Sequence, residues 1–422
     1  LTDQPTVKRA FYFGLSTGFL CAAPQLFFFW SIFGPLAIVL WLVWAFWIGL
    51  FAAIACGGIR RWGKSKAIWL IPILWTGIEY FRSELYYLKF SWLNVGYALP
   101  ALNAFASIHL GMYGLGFSIF VLIALLSLKI KLRPTELLAI FFIGFIALAM
   151  FLPAFSGPPP PKVSVAGVQL EFPSQGVLPK ILDGALAKNT NADIFVLSEY
   201  ALEGGVPDSL KDWCRTNSRY LVVGGKDIVT NHIYYNTAFV VGTNGDIVFK
   251  QAKSVPIQFF DDGLPAAKQE LWNSPWGKIG ICICYDLSYT RVTDELVRQG
   301  AQLLIVPTMD VSEWGRHEHE LHARVAPTRA TEYGVPIFRL ASSGISQAVN
   351  RRGGAVASIP FEKQDEVLAA TLQMPRSHGV LPLDRRLAPL CTGISAIILI
   401  TLMALTWKDR QESGRGLAQS KT

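Results

Sequence analysis

Long apolar runs fill most of the first 155 positions, whereas shorter apolar runs separated by polar turns fill residues 157–385. A helix needs about 20 apolar residues to cross a bilayer. Runs close to that length predict membrane-spanning helices at residues 10–30, 33–57, 66–82, 104–128, 135–155 and 387–406. The pattern therefore predicts a membrane block, a globular block and a last spanning helix.

We expect four parts along the chain. They are an N-terminal membrane block of about five spans (1–156), a globular domain (157–385), a C-terminal transmembrane helix (386–407) and a disordered cytoplasmic tail (408–422). Pro158–Pro161 predicts a stiff polyproline spacer in front of the globular domain.

Lysine and arginine set the expected orientation, because they collect in the cytoplasmic loops of membrane proteins. Placing all the short basic segments in the cytoplasm makes the spans alternate, with Arg385 and Arg386 as a minor exception. The globular domain then lies outside the cytoplasm, above an aromatic-rich outer loop at 83–103. The basic segments are residues 8–9, 60–66, 129–133 and 408–421.

Composition narrows the class of protein. The 422 residues are 52% hydrophobic and only 16% charged, against roughly 25% charged in ordinary soluble chains. A wholly soluble or wholly disordered protein is therefore excluded. The net charge of +8 comes from basic residues at the ends of apolar runs, which favours membrane topology over nucleic-acid binding. The six cysteines are dispersed and predict no disulfide framework.

The globular block alternates β-like and helical segments, which predicts an α/β architecture with helices outside the sheets. The turn Thr243-Asn244-Gly245 predicts a hairpin. Strands are predicted at 163–170, 192–199, 220–225, 235–242, 278–285 and 302–308, and helices at 178–189, 291–299 and 316–333.

Three residues of this block are candidates for chemistry. Glu199 ends a predicted strand, where α/β proteins place reactive groups, although a solvated carboxylate would also fit. Cys284 stands at a strand exit and is either a nucleophile or a buried structural thiol. Lys253 lies in an otherwise apolar loop, where an ordinary surface lysine is the simpler interpretation. Each signal is weak alone.

Taken in order, the segments FVLSEY, AKSVPIQFF and GICICYDLSY resemble the Glu–Lys–Cys triad of the nitrilase (carbon–nitrogen hydrolase) superfamily. The arrangement of the whole chain is similar to bacterial apolipoprotein N-acyltransferases, including the segment FSWLNVGYAL at 90–99, which contains Trp92. A narrower likeness is to the TraB proteins of conjugative plasmids. The resemblance implies a four-layer α-β-β-α sandwich.

The resemblance also implies roles for individual residues. Glu199 would be the general base, Cys284 the nucleophile and Lys253 the cation that stabilises the oxyanion. Two aspartates stand where the family has glutamate, and PTMDVSEW departs from the family's usual sequence, so the acyl acceptor is left open. The implied substrate-binding or supporting residues are Asp261, Tyr285, Asp286, Trp314, His319, Glu332 and Trp92.

By this resemblance the protein is a multi-pass protein of the bacterial inner membrane with a periplasmic catalytic domain. It would move a fatty acyl group from phospholipid through a Cys284 thioester to an amine, such as a lipoprotein N-terminus. No cofactor, metal or nucleic acid is implied. A nitrilase-type amidase and a non-catalytic conjugation or envelope scaffold remain alternatives.

A histidine-rich helix is the one competing motif in the domain. His317, His319 and His322 resemble a metal cluster, but at about 100° per residue only His319 and His322 share a helix face. We therefore expect a solvated or substrate-facing helix and no metal site.

Overall fold

The computed structural model describes residues 6–98, 100–128, 160–230, 233–375 and 379–419. The predicted span at 135–155 and most of the predicted polyproline spacer lie outside these residues. The helices of the N-terminal part are α1 (Val7–Gln25), α2 (Phe28–Phe33), α3 (Ala37–Trp62), α4 (Lys64–Ala67), α5 (Leu70–Tyr80) and α6 (Pro100–Ser127).

Three described segments are long and apolar enough to cross a membrane: Phe28–Trp62, Leu110–Ser127 and Asp384–Ser413. They coincide with the spans predicted at 33–57, 104–128 and 387–406. Helices also occupy the other two predicted positions, but α1 has lower hydropathy and α5 is only 11 residues long. A π-helical turn, Phe81–Leu85, extends α5.

The twelve strands of the described globular part form two six-stranded sheets. In chain order the strands are β1 (Lys162–Val168), β2 (Ile194–Val196), β3 (Tyr220–Thr230), β4 (Ile233–Val241), β5 (Ile247–Ala252), β6 (Leu271–Ser274), β7 (Gly277–Ile281), β8 (Leu303–Pro307), β9 (Ile337–Leu340), β10 (Ser346–Val349), β11 (Ala355–Ile359) and β12 (Val367–Gln373).

The sheet orders are β12-β1-β2-β3-β4-β5 and β11-β10-β9-β8-β7-β6. Within each sheet three consecutive strands (β1–β3 and β7–β9) pair in parallel. Each remaining strand pairs antiparallel with its neighbours. The helices of this part are α7 (Leu178–Lys188), α8 (Asp208–Asn217), α9 (Thr290–Arg298), α10 (Arg316–Ala323) and α11 (Val325–Tyr333); α12 (Asp384–Gln419) follows the domain.

Alternation along β3 shows how the layers stack. Val222 belongs to the core between the two sheets, whereas Leu221 and Val223 pack in a second core with Leu182 of α7 and Leu210 of α8. Successive strand residues face opposite sides of a sheet, so β3 is covered by the other sheet on one face and by helices on the other. Residues of α9 and α11 join the core of the second sheet. The predicted four-layer sandwich is confirmed.

Two local predictions need correction. The segment predicted as a single helix at 316–333 forms two helices, α10 and α11, separated at Arg324. Pro327 lacks the N–H that would donate to the carbonyl of residue 323, so one continuous helix is not formed. The tail predicted to be disordered from residue 408 is helical as far as Gln419. An (i, i+4) ion pair between Lys408 and Glu412, 3.8 Å apart, supports that extension.

The membrane helix α6 is interrupted where it meets the globular domain. Gly111 has φ 74° and ψ 174°, and the helix restarts directly after it. The Met112 N–H donates to Glu332 Oε1 (2.6 Å) and the Tyr113 N–H donates to Asp384 Oδ2 (2.9 Å). These two carboxylates satisfy N–H groups that the first turn of a helix leaves without partners, so they join α6 to α11 and α12.

We predict that Gly111→Ala destabilises the protein by about 1–3 kcal/mol, since this backbone conformation is restricted to glycine. A Cβ here would also lie within contact distance of the Asp384 carboxylate. Thermal unfolding in detergent measures the effect. Gly393→Ala is the matched control, because no atom lies within 4 Å of its added Cβ. Equal behaviour of the two variants would contradict the prediction.

Candidate active site

Glu199 and Lys253 meet because β2 and β5 end at the same edge of the first sheet. Strand β3 is parallel to β2, and β5 follows β3 and β4 through two antiparallel pairings, so it runs in the same direction as β2. Lys253 Nζ lies 2.8 Å from Glu199 Oε1, and both side chains are almost completely buried. The structure therefore brings together the two residues proposed as cation and base.

Asp262 provides a second carboxylate for Lys253, and the three side chains Glu199, Lys253 and Asp262 form an ion-pair cluster. Lys253 Nζ lies 2.7 Å from Asp262 Oδ2, and Asn236 Nδ2 donates to Asp262 Oδ1 (2.8 Å) and Glu199 Oε1 (2.6 Å). The predicted residue, Asp261, is exposed and uses its backbone carbonyl to accept from Tyr234. Asp261 is thus replaced in this position by its neighbour, because the left-handed backbone at Phe259 (φ 72°) redirects the loop.

Charges in this cluster follow from burial and pairing. Burial raises the pKa of the Glu199 carboxyl above its ordinary value, although Lys253 opposes the shift. Burial also disfavours the Lys253 ammonium, but Glu199 and Asp262 outweigh it and raise the lysine pKa well above its usual range. Lys253 is therefore a permanent cation, and Glu199 is a carboxylate with increased basicity.

Cys284 begins a short 3₁₀ turn, Cys284–Ser288, soon after β7. Its φ of 50° is in the left-handed region, which is uncommon for a residue with a side chain. Its Sγ lies 3.6 Å from the Met309 carbonyl, and the Met309 N–H donates to Glu199 Oε2 (2.8 Å). The carbonyl and the N–H of one residue, Met309, thus contact the thiol and the carboxylate, which links Cys284 to Glu199.

The surroundings of Cys284 keep its thiol protonated at rest. Burial raises the pKa of Cys284 well above its ordinary value; Glu199 raises it further, and Lys253 opposes the shift. A protonated thiol is a poor nucleophile. A base must therefore remove the proton when the thiol reacts, and the nearby Glu199 carboxylate is suited to that task.

Asp286 supports the nucleophile turn from behind. Its carboxylate accepts backbone N–H groups of Ser254 (3.0 Å), Val255 (2.7 Å) and Ile283 (3.3 Å). Burial raises the pKa of Asp286 to about 6. The predicted supporting role therefore takes a structural form, in which Asp286 ties the residues after Lys253 to the turn that carries Cys284.

The loop after α5 brings aromatic residues of the membrane block into contact with the turn Cys284–Ser288. Trp92 Nε1 donates to Ser288 Oγ (2.9 Å), and the Trp92 ring lies edge-on to Tyr285 with centroids 5.6 Å apart. The Tyr285 hydroxyl donates to the Lys89 carbonyl (3.1 Å). Trp92 and Tyr285, both predicted as supporting residues, are thus brought together beside Cys284.

The histidine beside the nucleophile is His322, which the sequence analysis missed as a site residue. Its ring stacks on Trp92 with centroids 4.5 Å apart, whereas the predicted His319 stacks on Phe361. His319 Nδ1 lies 2.9 Å from Glu318 Oε2. Burial opposes protonation of His319, but Asp310 and Glu318 raise its pKa to about 9.

Side chains of metal-binding type do cluster here. Ligand atoms of Cys284, Asp310 and His322 lie within 4.8 Å of one another, and so do those of Asp310, Glu318 and His319. Asp310 is already engaged by Arg339, whose Nη2 lies 2.6 Å from Oδ2. The guanidinium at the shared ligand disfavours a cation, so the absence of a metal stays our prediction.

Glu332 lies away from the nucleophile and holds the domain junction described above. Its Oε2 pairs with Arg329 (2.6 Å) and Arg385 (3.2 Å). Arg329 in turn donates to the carbonyls of Leu287 and Ser288. Glu332 is predicted as a substrate-binding or supporting residue, and in the structure it connects the turn that carries Cys284 to α6 through Arg329.

Two cavities adjoin the cluster and share the wall formed by Ile257, Phe260 and Trp314. The first, of about 130 Å³, is apolar and lies between the helices and the domain. The second, of about 380 Å³, is lined by Glu199 and Asp262. Trp314, predicted as substrate-binding, stands between them. The apolar cavity is lined on one side by Phe29, Phe33, Val43 and Trp47, and on the other by Tyr285 and Phe259.

Comparison with known families agrees with both parts of the chain. A family model described as carbon-nitrogen hydrolase matches residues 177–379. A second model, described as the apolipoprotein N-acyltransferase N-terminal domain, matches residues 1–126. Residues 177–379 therefore form a domain of the carbon–nitrogen hydrolase (nitrilase) superfamily. With the N-terminal match, the chain as a whole is apolipoprotein N-acyltransferase-like, whereas membership of the TraB-like subgroup stays a prediction.

Individual relatives match either most of the chain or a part of it. The apolipoprotein N-acyltransferase of Shewanella oneidensis is 26% identical, and the match covers 87% of this chain and 82% of that protein. A deaminated glutathione amidase of Dictyostelium discoideum is 29% identical over 39% of this chain and 64% of its own length. The crystal structure of a carbon-nitrogen hydrolase from Helicobacter pylori covers 50% of this chain and 89% of its own, with 18% identity and a TM-score of 0.45.

We predict that Lys253→Met destabilises the fold by about 3–5 kcal/mol, because it leaves two buried carboxylates without their cation. Lys250→Met is the matched control; Lys250 is 56% exposed and pairs with Asp227, so its loss should cost less than about 1 kcal/mol. Denaturant unfolding in detergent compares the two. Similar midpoints for both variants would show that the buried cluster contributes little to stability.

Proposed function

We propose that this protein is a membrane-bound N-acyltransferase. It moves a fatty acyl group from a phospholipid, through a thioester on Cys284, to an amine such as a lipoprotein N-terminus. One observation carries the proposal: Tyr285, the residue after the nucleophile, lines the apolar cavity between α2, α3 and the domain. An acyl chain entering from the bilayer side would therefore bring its carbonyl toward Cys284.

The cavity suits a phospholipid in two ways. Its walls are mostly aromatic and aliphatic, which favours burial of an acyl chain. Its lining also includes Lys89, a half-buried cation near the Tyr289 ring. A lysine at this point can pair with the phosphate of a lipid whose ester lies at the nucleophile.

In the first half-reaction Glu199 takes the proton from Cys284 Sγ, and the thiolate attacks the acyl ester carbonyl. Lys253 and backbone N–H groups after Cys284 stabilise the oxyanion, where one such donor contributes about 3–4 kcal/mol. The C–O bond then breaks, the thioester forms, and Glu199 returns its proton to the lysophospholipid oxygen. No bond changes occur at Lys253.

In the second half-reaction an uncharged amine attacks the thioester carbonyl. A C–N bond forms and the C–S bond breaks. Glu199 takes one proton from the amine nitrogen and delivers it to Cys284 Sγ, which restores the resting thiol. The same carboxylate thus serves both half-reactions, in agreement with its raised pKa.

The surroundings of the site favour transfer over simple hydrolysis. A soluble amidase has no need of membrane helices in its substrate cavity, yet α2, α3 and the loop carrying Trp92 form much of the wall here. The match to the N-terminal domain of apolipoprotein N-acyltransferases supports the same choice. The basic flanks of the apolar helices support a periplasmic catalytic domain on the inner membrane.

We predict that purified protein in phospholipid carries a fatty-acyl mass increment that Cys284→Ala lacks. Added amine should discharge the adduct, because aminolysis completes the transfer. Intact-mass spectrometry measures both steps. Cys21→Ala is the control, since Cys21 is an exposed thiol of the membrane block. The proposal would be refuted if the adduct persists in Cys284→Ala, or if the wild-type protein carries no adduct. Discharge of the adduct by water alone would indicate a hydrolase.

We predict a second effect on the pH dependence of acylation. The base Glu199 must be ionised, so activity falls as pH drops through its raised pKa. Asn236 donates a hydrogen bond to the Glu199 carboxylate, which favours the ionised form. Asn236→Ala should therefore move the acid limb of the single-turnover rate to higher pH.

Asn244→Ala is the control for the pH experiment, because Asn244 bonds only within the exposed β4–β5 hairpin and to Arg215. An acid limb that stays in place in Asn236→Ala, or moves to lower pH, would show that a group other than Glu199 is the base.

A further inference from the structure

A histidine–aspartate pair, His322 and Asp310, lies beside Cys284 and has no part in the mechanism above. His322 Nδ1 lies 2.7 Å from Asp310 Oδ1, and the other Asp310 oxygen accepts from Arg339 (2.6 Å). The Cys284 sulfur, an Asp310 oxygen and a His322 ring nitrogen all lie within 4.8 Å of one another. This pair is therefore close enough to act on a substrate bound at the thiol.

Hydrogen bonding fixes which nitrogen of His322 carries the proton. Burial disfavours the charged ring and lowers the pKa of His322 to about 4, despite the neighbouring Asp310. Arg339 holds Asp310 as a carboxylate, with a pKa well below its ordinary value, and a carboxylate only accepts hydrogen bonds. The neutral ring must then donate from Nδ1, and Nε2 is left as an acceptor.

Nε2 of His322 is buried and has no hydrogen-bond partner among the described residues. A buried polar atom in that condition is destabilising unless a ligand or water satisfies it. The ring cannot turn away easily, since it stacks on Trp92 and Trp92 is itself bonded to Ser288. An immobilised acceptor beside a nucleophile points to a ligand that brings a donor.

We propose that His322 is an acceptor-positioning residue, whose Nε2 receives a hydrogen bond from the amine that attacks the Cys284 thioester. This inference rests on the proposed function. An uncharged primary amine carries two N–H groups, so one proton can go to Glu199 while the other N–H bonds to His322. The C–N bond forms, the C–S bond breaks, and His322 neither gains nor loses a proton.

The arrangement favours amines over alcohols as acceptors. An alcohol carries a single O–H, and Glu199 requires that proton, so no donor remains for Nε2. The released lysophospholipid is such an alcohol. His322 therefore directs the acyl-enzyme forward, to the amine, and away from reversal onto the donor.

The test compares His322→Phe, which keeps an aromatic ring against Trp92, with His317→Phe, which alters a histidine 40% exposed on the same helix. Each variant is acylated in phospholipid and then mixed with a diacylglyceryl-cysteine peptide or with lysophospholipid. Intact-mass spectrometry follows formation and discharge of the thioester. His322→Gln, which retains a hydrogen-bond acceptor, is a second variant.

We expect His322→Phe to acylate within about twofold of wild type but to discharge to the amine about tenfold more slowly, as the loss of one hydrogen bond predicts. Discharge to lysophospholipid should be unchanged, and His322→Gln should recover part of the amine rate. Equal loss in both half-reactions would indicate a structural role and overturn the proposal, as would an unchanged amine rate. Failure of wild-type protein to acylate would instead overturn the proposed function on which this inference rests.

Should His322→Phe unfold, the comparison is made with His322→Gln against wild type. Under the proposal, His322→Gln discharges to the amine more slowly than wild type while its discharge to lysophospholipid is unchanged. Equal loss in both discharge reactions overturns the proposal. Thermal unfolding in detergent identifies which variant to use.

Discussion

The ammonium of Lys253 is completely buried between the carboxylates of Glu199 and Asp262, and the rest of the site is arranged around it. A buried charge is tolerated only when it is paired and hydrogen-bonded. The Asn236 amide donates hydrogen bonds to both carboxylates, and the Met309 N–H donates to the second oxygen of Glu199. Both Glu199 oxygens are thus fixed by hydrogen bonds, and one of the donors, Met309, follows strand β8 of the second sheet.

The stacking of two similar sheets explains why the reacting groups meet. Glu199 and Lys253 follow strands of the first sheet, whereas Cys284 and Met309 follow neighbouring parallel strands of the second. Strand ends carry backbone groups that the ladder leaves available, so polar side chains are satisfied there at low cost. Asp286 uses such groups on both sides, since it accepts from Ser254 of one sheet's loop and from Ile283 of the other.

The membrane helices are part of the site as well as its anchor. Trp92 reaches the nucleophile turn at Ser288 and covers His322, while α2 and α3 form a wall of the apolar cavity. On the far side, Glu332 and Arg329 connect the same turn to the break in α6. The turn that carries Cys284 is therefore held between two contacts with the membrane block.

The sequence by itself determined the features that depend on local pattern. Apolar run length located the helices at 33–57, 104–128 and 387–406, and strand alternation placed Glu199 and Cys284 at strand ends. Resemblance to the nitrilase superfamily selected Lys253. These features could be predicted because hydrophobic periodicity and strand boundaries are set by neighbouring residues.

Tertiary structure alone decided the rest. Asp262 takes the place expected for Asp261 because a left-handed residue, Phe259, turns the loop. His322 takes the place expected for His319, since the His322 ring stacks on Trp92 whereas the His319 ring stacks on Phe361. A shift of one residue along a loop, or of one turn along a helix, leaves composition and spacing almost unchanged. It nevertheless changes which side chain contacts the site, and only the packing of distant segments resolves that choice.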